Sequence, residues 1–138
     1  MKKKVLFICT HNSCRSQMAE GMVNHILGDT WAVYSAGMEA SSVHPKAAQV
    51  MNEIGIDISH QRSKSLDDLP DAAFDLVVTL CSDAEQRCPL YLGSEKRVHI
   101  GFDDPAEATG TDEDVVDEFR RVRDEIKGTI LDFLKSYN

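Results

Sequence analysis

The chain has 138 residues, a length at which one hydrophobic core is the default, so residues 1–138 read as a single domain. Its 15 Lys and Arg against 23 Asp and Glu leave a net charge of −8, which disfavours nucleic acid and anionic lipid as partners because both require a basic footprint. A composition 42% hydrophobic and 28% charged is that of a soluble globular domain, and the acidic surface favours a monomer. Met1 to Lys4 is basic, but the apolar run behind it stops at Cys9, too short for a signal-peptide core or a membrane span. A cytoplasmic location is expected, and there 4 cysteines stay as thiols unless their oxidation belongs to the chemistry.

Val5-Leu6-Phe7-Ile8-Cys9 is apolar without alternation, the pattern of a central parallel strand covered on both faces. From Ser16 the spacing turns helical, with Met18, Met22, Val23 and Ile26 on one face and Gly28-Asp29 as a stop. Ala32 to Ala36 reads as a second strand ended by Gly37, and Pro45 to Ile54 as a helix with Pro at its start and Gly55 beyond its end. Ser65 and Asp68 resemble a capping box for a short helix. Phe74 to Leu80 and Arg97 to Ile100 supply two further strands. Thr111 and Asp114 cap a last helix whose Val115, Phe119, Val122, Ile126, Ile130 and Phe133 recur at three and four residues. Strands alternating with helices predict an α/β fold, a four-stranded parallel sheet in a three-layer α/β/α sandwich. Such sheets bind ligands at the carboxyl ends of their strands, where Cys9, Cys81 and Asp104 should all open.

Cys9-Thr10-His11-Asn12-Ser13-Cys14-Arg15-Ser16 places a thiol at a strand end and, after five residues, an arginine at a helix start. A loop wound into a helix N-terminus aims backbone N–H groups at one point, and the helix dipole favours negative charge there. Residues Thr10 to Ser16 therefore form a candidate oxyanion cup. Arg15 adds a bidentate fork, and Asn12 tolerates the left-handed turn that the loop requires. The same field favours the reactive thiolate at Cys9, to which Ser16 can donate a hydrogen bond. A strand-end hydrophobe and a surface arginine would explain Cys9 and Arg15 separately, but not their order between strand and helix. Zinc is disfavoured, because the cysteine spacings are not a matched pair of short knuckles.

Cys81 and Cys88 flank six residues, with Pro89 behind them. In an unbroken helix their Cα atoms would lie about 10.5 Å apart, whereas a disulfide tolerates only about 7 Å. Either the two never bond, or the segment unwinds when they do. Asp104 is followed by Pro105, which biases it toward an extended conformation and a carboxyl projecting from the sheet edge, suited to giving a proton to a departing oxygen. Its neighbours Asp103, Glu107, Asp112 and Glu113 fit the plainer reading of an acidic, solvated capping loop equally well.

Cys9 to Gly21 (CTHNSCRSQMAEG), Ser35 to Gly37 (SAG), Ile56 to Ser59 (IDIS), the Cys81 and Cys88 pair and Gly101 to Ala106 (GFDDPA) together closely resemble the thioredoxin-coupled arsenate reductases, which share the low-molecular-weight tyrosine phosphatase fold. The resemblance implies that Cys9 attacks arsenate held by the loop and Arg15 while Asp104 protonates the departing oxygen. It further implies that Cys81 displaces arsenite by attacking Cys9, and that Cys88 leaves a Cys81–Cys88 disulfide for thioredoxin to reduce. No bound cofactor or metal is implied, and phosphate or sulfate would mimic the substrate. Two positions depart from the pattern. His11 stands where relatives carry a small residue, often Gly. Relatives that bind potassium use positions matching Asn12, Glu20 and Ser35 plus an acid, and Lys64 stands where that acid is expected, its ammonium replacing the ion. The competing reading is a phosphotyrosine-type phosphatase, which would use the same Cys9, Arg15 and Asp104 but has no work for Cys81 and Cys88. A non-enzymatic redox switch would need neither Arg15 nor Asp104.

Overall fold

The computed structural model describes residues 2–69, 74–81 and 96–137. Within them the chain runs β1 (Lys3–Cys9), α1 (Arg15–Leu27), β2 (Trp31–Gly37), α2 (Pro45–Glu53), a 3-10 turn at Leu66–Asp68, β3 (Leu76–Thr79), β4 (Arg97–His99), a second 3-10 turn at Pro105–Glu107, and α3 (Asp112–Ser136). The conformation of the segment bearing Cys88, and with it the unwinding argument, lies outside the described residues.

All four strands are parallel in the order β2-β1-β3-β4. Val5, Leu6, Phe7 and Ile8 on β1 and Leu76, Val77 and Val78 on β3 are wholly buried. Continuous apolar runs at these two positions mean that both faces of the central sheet are covered, the sandwich expected for a parallel sheet. Strand β2 pairs with β1 through the full length of both, from Lys3 opposite Trp31 to Cys9 opposite Gly37. The pairing then continues beyond the sheet, since Met38 N donates to Cys9 O at 3.2 Å and Glu39 N to Thr10 O at 3.0 Å.

The last helix starts where its capping box puts it. Thr111 N donates to Asp114 Oδ2 at 3.0 Å, and Asp114 N donates back to Thr111 Oγ1 at 3.1 Å. Its buried stripe contains Phe119, Val122, Ile126 and Ile130 as expected, and also Val116, Leu131 and Leu134. Val115 and Phe133 lie at the stripe's edges, half-buried. The Ser65–Asp68 box also forms, on a single 3-10 turn, with Ser65 N donating to Asp68 Oδ2 at 3.0 Å.

Helix α1 corrects one expectation. Met18 and Met22 are buried with Val23, but Ile26 is 40% exposed. Residues four apart drift by about 40° around an α-helix, so by Ile26 the row begun at Met18 has turned off the sheet, one residue before the helix ends. The buried face instead takes in Ala19, Gly21, Ser16 and Gln17. The stop also differs in kind: Gly28 caps α1 in the right-handed region (φ −63°), not the left-handed one. Gly55 behind α2 does adopt φ +80°, where a side chain would be strained.

Candidate active site

Strand β1 ends at Cys9 and α1 begins at Arg15, so the five residues between them form the loop at the carboxyl edge of the sheet. Asn12 sits in the left-handed region at φ +51° and is fully buried. Its amide accounts for the strain. Nδ2 donates to Ser16 Oγ at 2.7 Å and Ser35 Oγ at 3.0 Å, while Oδ1 accepts from Lys64 N at 2.8 Å and Gln17 Nε2 at 2.9 Å. All four hydrogen bonds an asparagine amide can make are made, and they hold one loop conformation.

Cys9 is buried, with its Sγ 2.9 Å from Ser16 Oγ. Because Ser16 Oγ already accepts from Asn12, its own proton is well placed to go to the Cys9 sulfur. Among the described residues no side chain caps the first turn of α1, where Cys14 is the N-cap residue, and its first-turn N–H groups suit an anion. Arg15 is buried and sits between two segments. Its Nη1 donates to Phe102 O at 3.2 Å and its Nη2 lies 3.5 Å from Asp104 Oδ2. Nε is buried without a hydrogen-bond partner among the described residues. A buried unpaired guanidinium N–H is costly, and the Nε–Nη2 edge is the fork that a tetrahedral oxyanion would take.

Asp104 adopts the extended conformation expected before Pro105, with φ −83° and ψ 108°. Its Oδ1 accepts from Ala106 N at 3.0 Å, capping the turn at Pro105–Glu107, and this leaves Oδ2 toward Arg15. Cys9, His11, Ser13, Cys14, Arg15, Asp104 and Ala106 enclose a small cup of about 40 Å³. Beside it opens a cavity of about 500 Å³ whose walls include Thr10, Arg15, Cys81, Phe102 and Asp104. Cys81, just beyond β3, is buried with its Sγ 3.3 Å from Thr10 Oγ1, one residue along from Cys9. The sites named from sequence thus meet at one edge, with the exception of Cys88, which lies outside the described residues.

Cys14 is a different kind of thiol from a nucleophile. Burial pushes it up to about 12, against a lowering hydrogen bond from Ser13, with the Asp104 charge adding to the rise. It packs as a neutral side chain, consistent with its loop-interior position.

Several residues that shape this loop were not legible as functional. Gln17 Nε2 donates to Asn12 O, Asn12 Oδ1 and Arg62 O, and Gln61 Nε2 donates to Gln17 O and Gln17 Oε1. The one signal was a polar residue on the buried face of α1. His44 N donates to Ser13 O at 3.0 Å, its Nδ1 accepts from Lys46 N to cap α2, and its ring packs on Phe119 at 4.7 Å. Burial pulls this imidazole below its ordinary value, Lys46 adds to the lowering, and Asp104 acts in the opposite sense. Lys64 Nζ stands 3.7 Å from Glu20 Oε1, each side chain 18% exposed, and Ser35 Oγ donates to the same carboxylate oxygen.

A parallel α/β sandwich with a Cys-x5-Arg loop leading from its first strand into its first helix is the architecture of the phosphatase-like α/β proteins. Residues 4–138 match the family described as low molecular weight phosphotyrosine protein phosphatase, and the chain belongs to that family. It is 55% identical over 135 residues to the arsenate reductase of Halalkalibacterium halodurans, covering 98% of this chain and 97% of the relative. Among solved structures it is similar to an arsenate reductase in the phosphate binding state, with a TM-score of 0.84, 34% identity and 99% of each chain covered. It also resembles the thioredoxin-dependent arsenate reductase of Corynebacterium glutamicum, with a TM-score of 0.70 and 32% identity over 98% of this chain, which spans 61% of that one.

Proposed function

We propose that the chain reduces arsenate to arsenite by a relay of cysteine thiols, with a thioredoxin-type dithiol as the final reductant. The observation that carries this reading is the position of Cys81, a second thiol lining the cavity of Arg15 and Asp104 and hydrogen-bonded to the residue next to Cys9. An ester phosphatase needs Cys9, Arg15 and Asp104 and has no step for that thiol. The 55% identity to an arsenate reductase over nearly the whole chain supports the same reading.

In this mechanism arsenate occupies the cup against the loop N–H groups and the Nε–Nη2 edge of Arg15. The Cys9 thiolate attacks arsenic, and Asp104, carrying its proton in the complex, gives it to the departing oxygen so that water leaves and a Cys9–arsenic bond forms. The Cys81 thiolate then attacks the Cys9 sulfur. The sulfur–arsenic bond breaks, its electron pair stays with arsenic, and arsenite departs as a Cys9–Cys81 disulfide forms. Cys88 attacks Cys81, freeing Cys9 and leaving a Cys81–Cys88 disulfide, which the external dithiol reduces. Two electrons enter per turnover, both through thiol exchange, so the chain itself needs to carry no redox centre. A cytoplasmic location, where such dithiols are kept reduced, suits this chemistry.

The test measures arsenite production with thioredoxin, thioredoxin reductase and NADPH. Cys9→Ser, Cys81→Ser and Cys88→Ser should each abolish multiple turnover, and Asp104→Ala should slow adduct formation about 10²-fold or more while leaving the fold intact. Normal turnover by Cys88→Ser with thioredoxin would refute the relay.

A further inference from the structure

The strongest unassigned feature is His11, one of the residues that line the oxyanion cup together with Cys9, Arg15 and Asp104. It is 52% exposed, and its Nδ1 lies 3.8 Å from Glu39 Oε2. Backbone contacts place the pair. Glu39 N donates to Thr10 O, and Ser63 Oγ donates to His11 O at 2.8 Å. At Gly37 a Cβ would come within 2.6 Å of Asn12 N and 2.7 Å of His11 C, so only glycine lets the segment leading to Glu39 run this close to the loop. The imidazole thus lies beside Glu39, on a stretch of backbone fixed by Ser63 and by the close approach at Gly37.

We propose that His11, steadied by Glu39, determines substrate range: it admits an inorganic oxyanion to the cup and obstructs an aryl ester of the same acid. This inference deepens the arsenate reading and rests on it for the identity of the inorganic substrate. The cup is small, about 40 Å³, so an ester's organic group must project through its mouth and past the rim, whereas a free tetrahedral oxyanion has no such group to place. Cys9, Arg15 and Asp104 serve both substrates alike, so discrimination has to come from the rim. Among the residues that line the cup without a role in the chemistry, His11 carries the bulkiest side chain.

The experiment compares kcat/KM for p-nitrophenyl phosphate hydrolysis with the affinity for inorganic phosphate, taken from its competitive inhibition of the same reaction. The ratio should rise about tenfold in His11→Gly and His11→Ala, the scale of selectivity that a few atoms in a pocket supply. It should stay near the unsubstituted value in His11→Gln, which keeps the bulk, and rise two- to threefold in Glu39→Ala, which lies outside the loop and releases the ring. An unchanged ratio in folded His11→Ala and Glu39→Ala overturns the proposal. So does a fall, which would mean that the imidazole stacks on the aryl group. Arsenate reduction by the unsubstituted chain is measured alongside: its absence would sink the reductase reading, while the ester-to-phosphate ratio would still decide the role of His11.

Discussion

At the scale of single residues, the loop's conformation depends on side chains that never touch substrate. Asn12 carries the left-handed turn, and a chain of hydrogen bonds runs from Glu20 through Ser35 and Asn12 to Ser16 and the Cys9 sulfur. The negative end of that chain is met by Lys64, whose ammonium also donates to Arg62 O at 2.8 Å. With the Lys64 ammonium 3.7 Å from Glu20, the chain is expected to work without a bound monovalent ion. Exchanging potassium for sodium at constant ionic strength should therefore leave the melting temperature and the reductase rate unchanged. Lys64→Ala should cost about 1–2 kcal/mol by leaving the Glu20 carboxylate without its cation, and should make the melting temperature rise with potassium. A strong potassium activation of the unsubstituted chain in the same titration would contradict this assignment.

At the scale of elements, α2 and α3 are joined by a cluster centred on Glu53. Arg120 donates to both of its carboxylate oxygens from Nε and Nη2, and Arg123 Nη1 donates to Glu53 Oε1 at 2.8 Å and to Val50 O at 2.9 Å. These bonds, with Arg120 foremost, hold the Glu53 carboxyl below its ordinary 4.5. A depressed carboxyl binds its proton more weakly folded than unfolded. Its contribution is thus complete above the unfolded value and is lost as pH falls through the folded one. Urea melts of Glu53→Gln should show lower stability than the unsubstituted chain at pH 7, and the gap should narrow as pH drops below about 4.5. A gap constant from pH 7 to pH 3 would show that the cluster acts by packing alone. His44 is a second junction of this kind, linking the loop at Ser13, the start of α2 and Phe119 on α3.

At the scale of the whole molecule, the fold places its most protected structure directly beneath its chemistry. Strand β1 is hydrogen-bonded on both edges and buried on both faces, and it ends in Cys9. Hydrogen exchange should be slowest for the amides of Leu6 to Ile8 and Val77 to Thr79, opening only with global unfolding, and faster in the edge strand β4, whose residues are half-buried or exposed. Faster exchange in β1 than in β4 would mean that the loop's foundation opens independently of the core. A rigid base suits a cup that must hold several donors on one anion, because any sag of the strand end would separate Cys9 from Arg15.

Much of this architecture was legible because it is written in short-range patterns. The apolar run Val5 to Cys9, the caps at Thr111 and Ser65 and the Cys-x5-Arg spacing each depend on residues within one or two turns of one another, so local physics decides them. Ile26 misled because it belongs to the right row of α1 but lies where that row turns off the sheet, a matter of where the neighbouring surface ends. Gln17, Gln61 and His44 were invisible as loop supports for a related reason. Each has a partner on a segment tens of residues away, Arg62 for Gln17, Gln17 for Gln61, and Ser13 and Phe119 for His44, and polar side chains carry no periodicity to announce them. The sequence alone therefore determined the layers, the strand-end loop and the kind of chemistry its residues suit. Only the tertiary structure decided that Cys81 comes beside Thr10, that Arg15 Nε is buried without a partner among the described residues, and that Glu39 comes within 3.8 Å of His11, since each depends on chain segments meeting across the sheet edge.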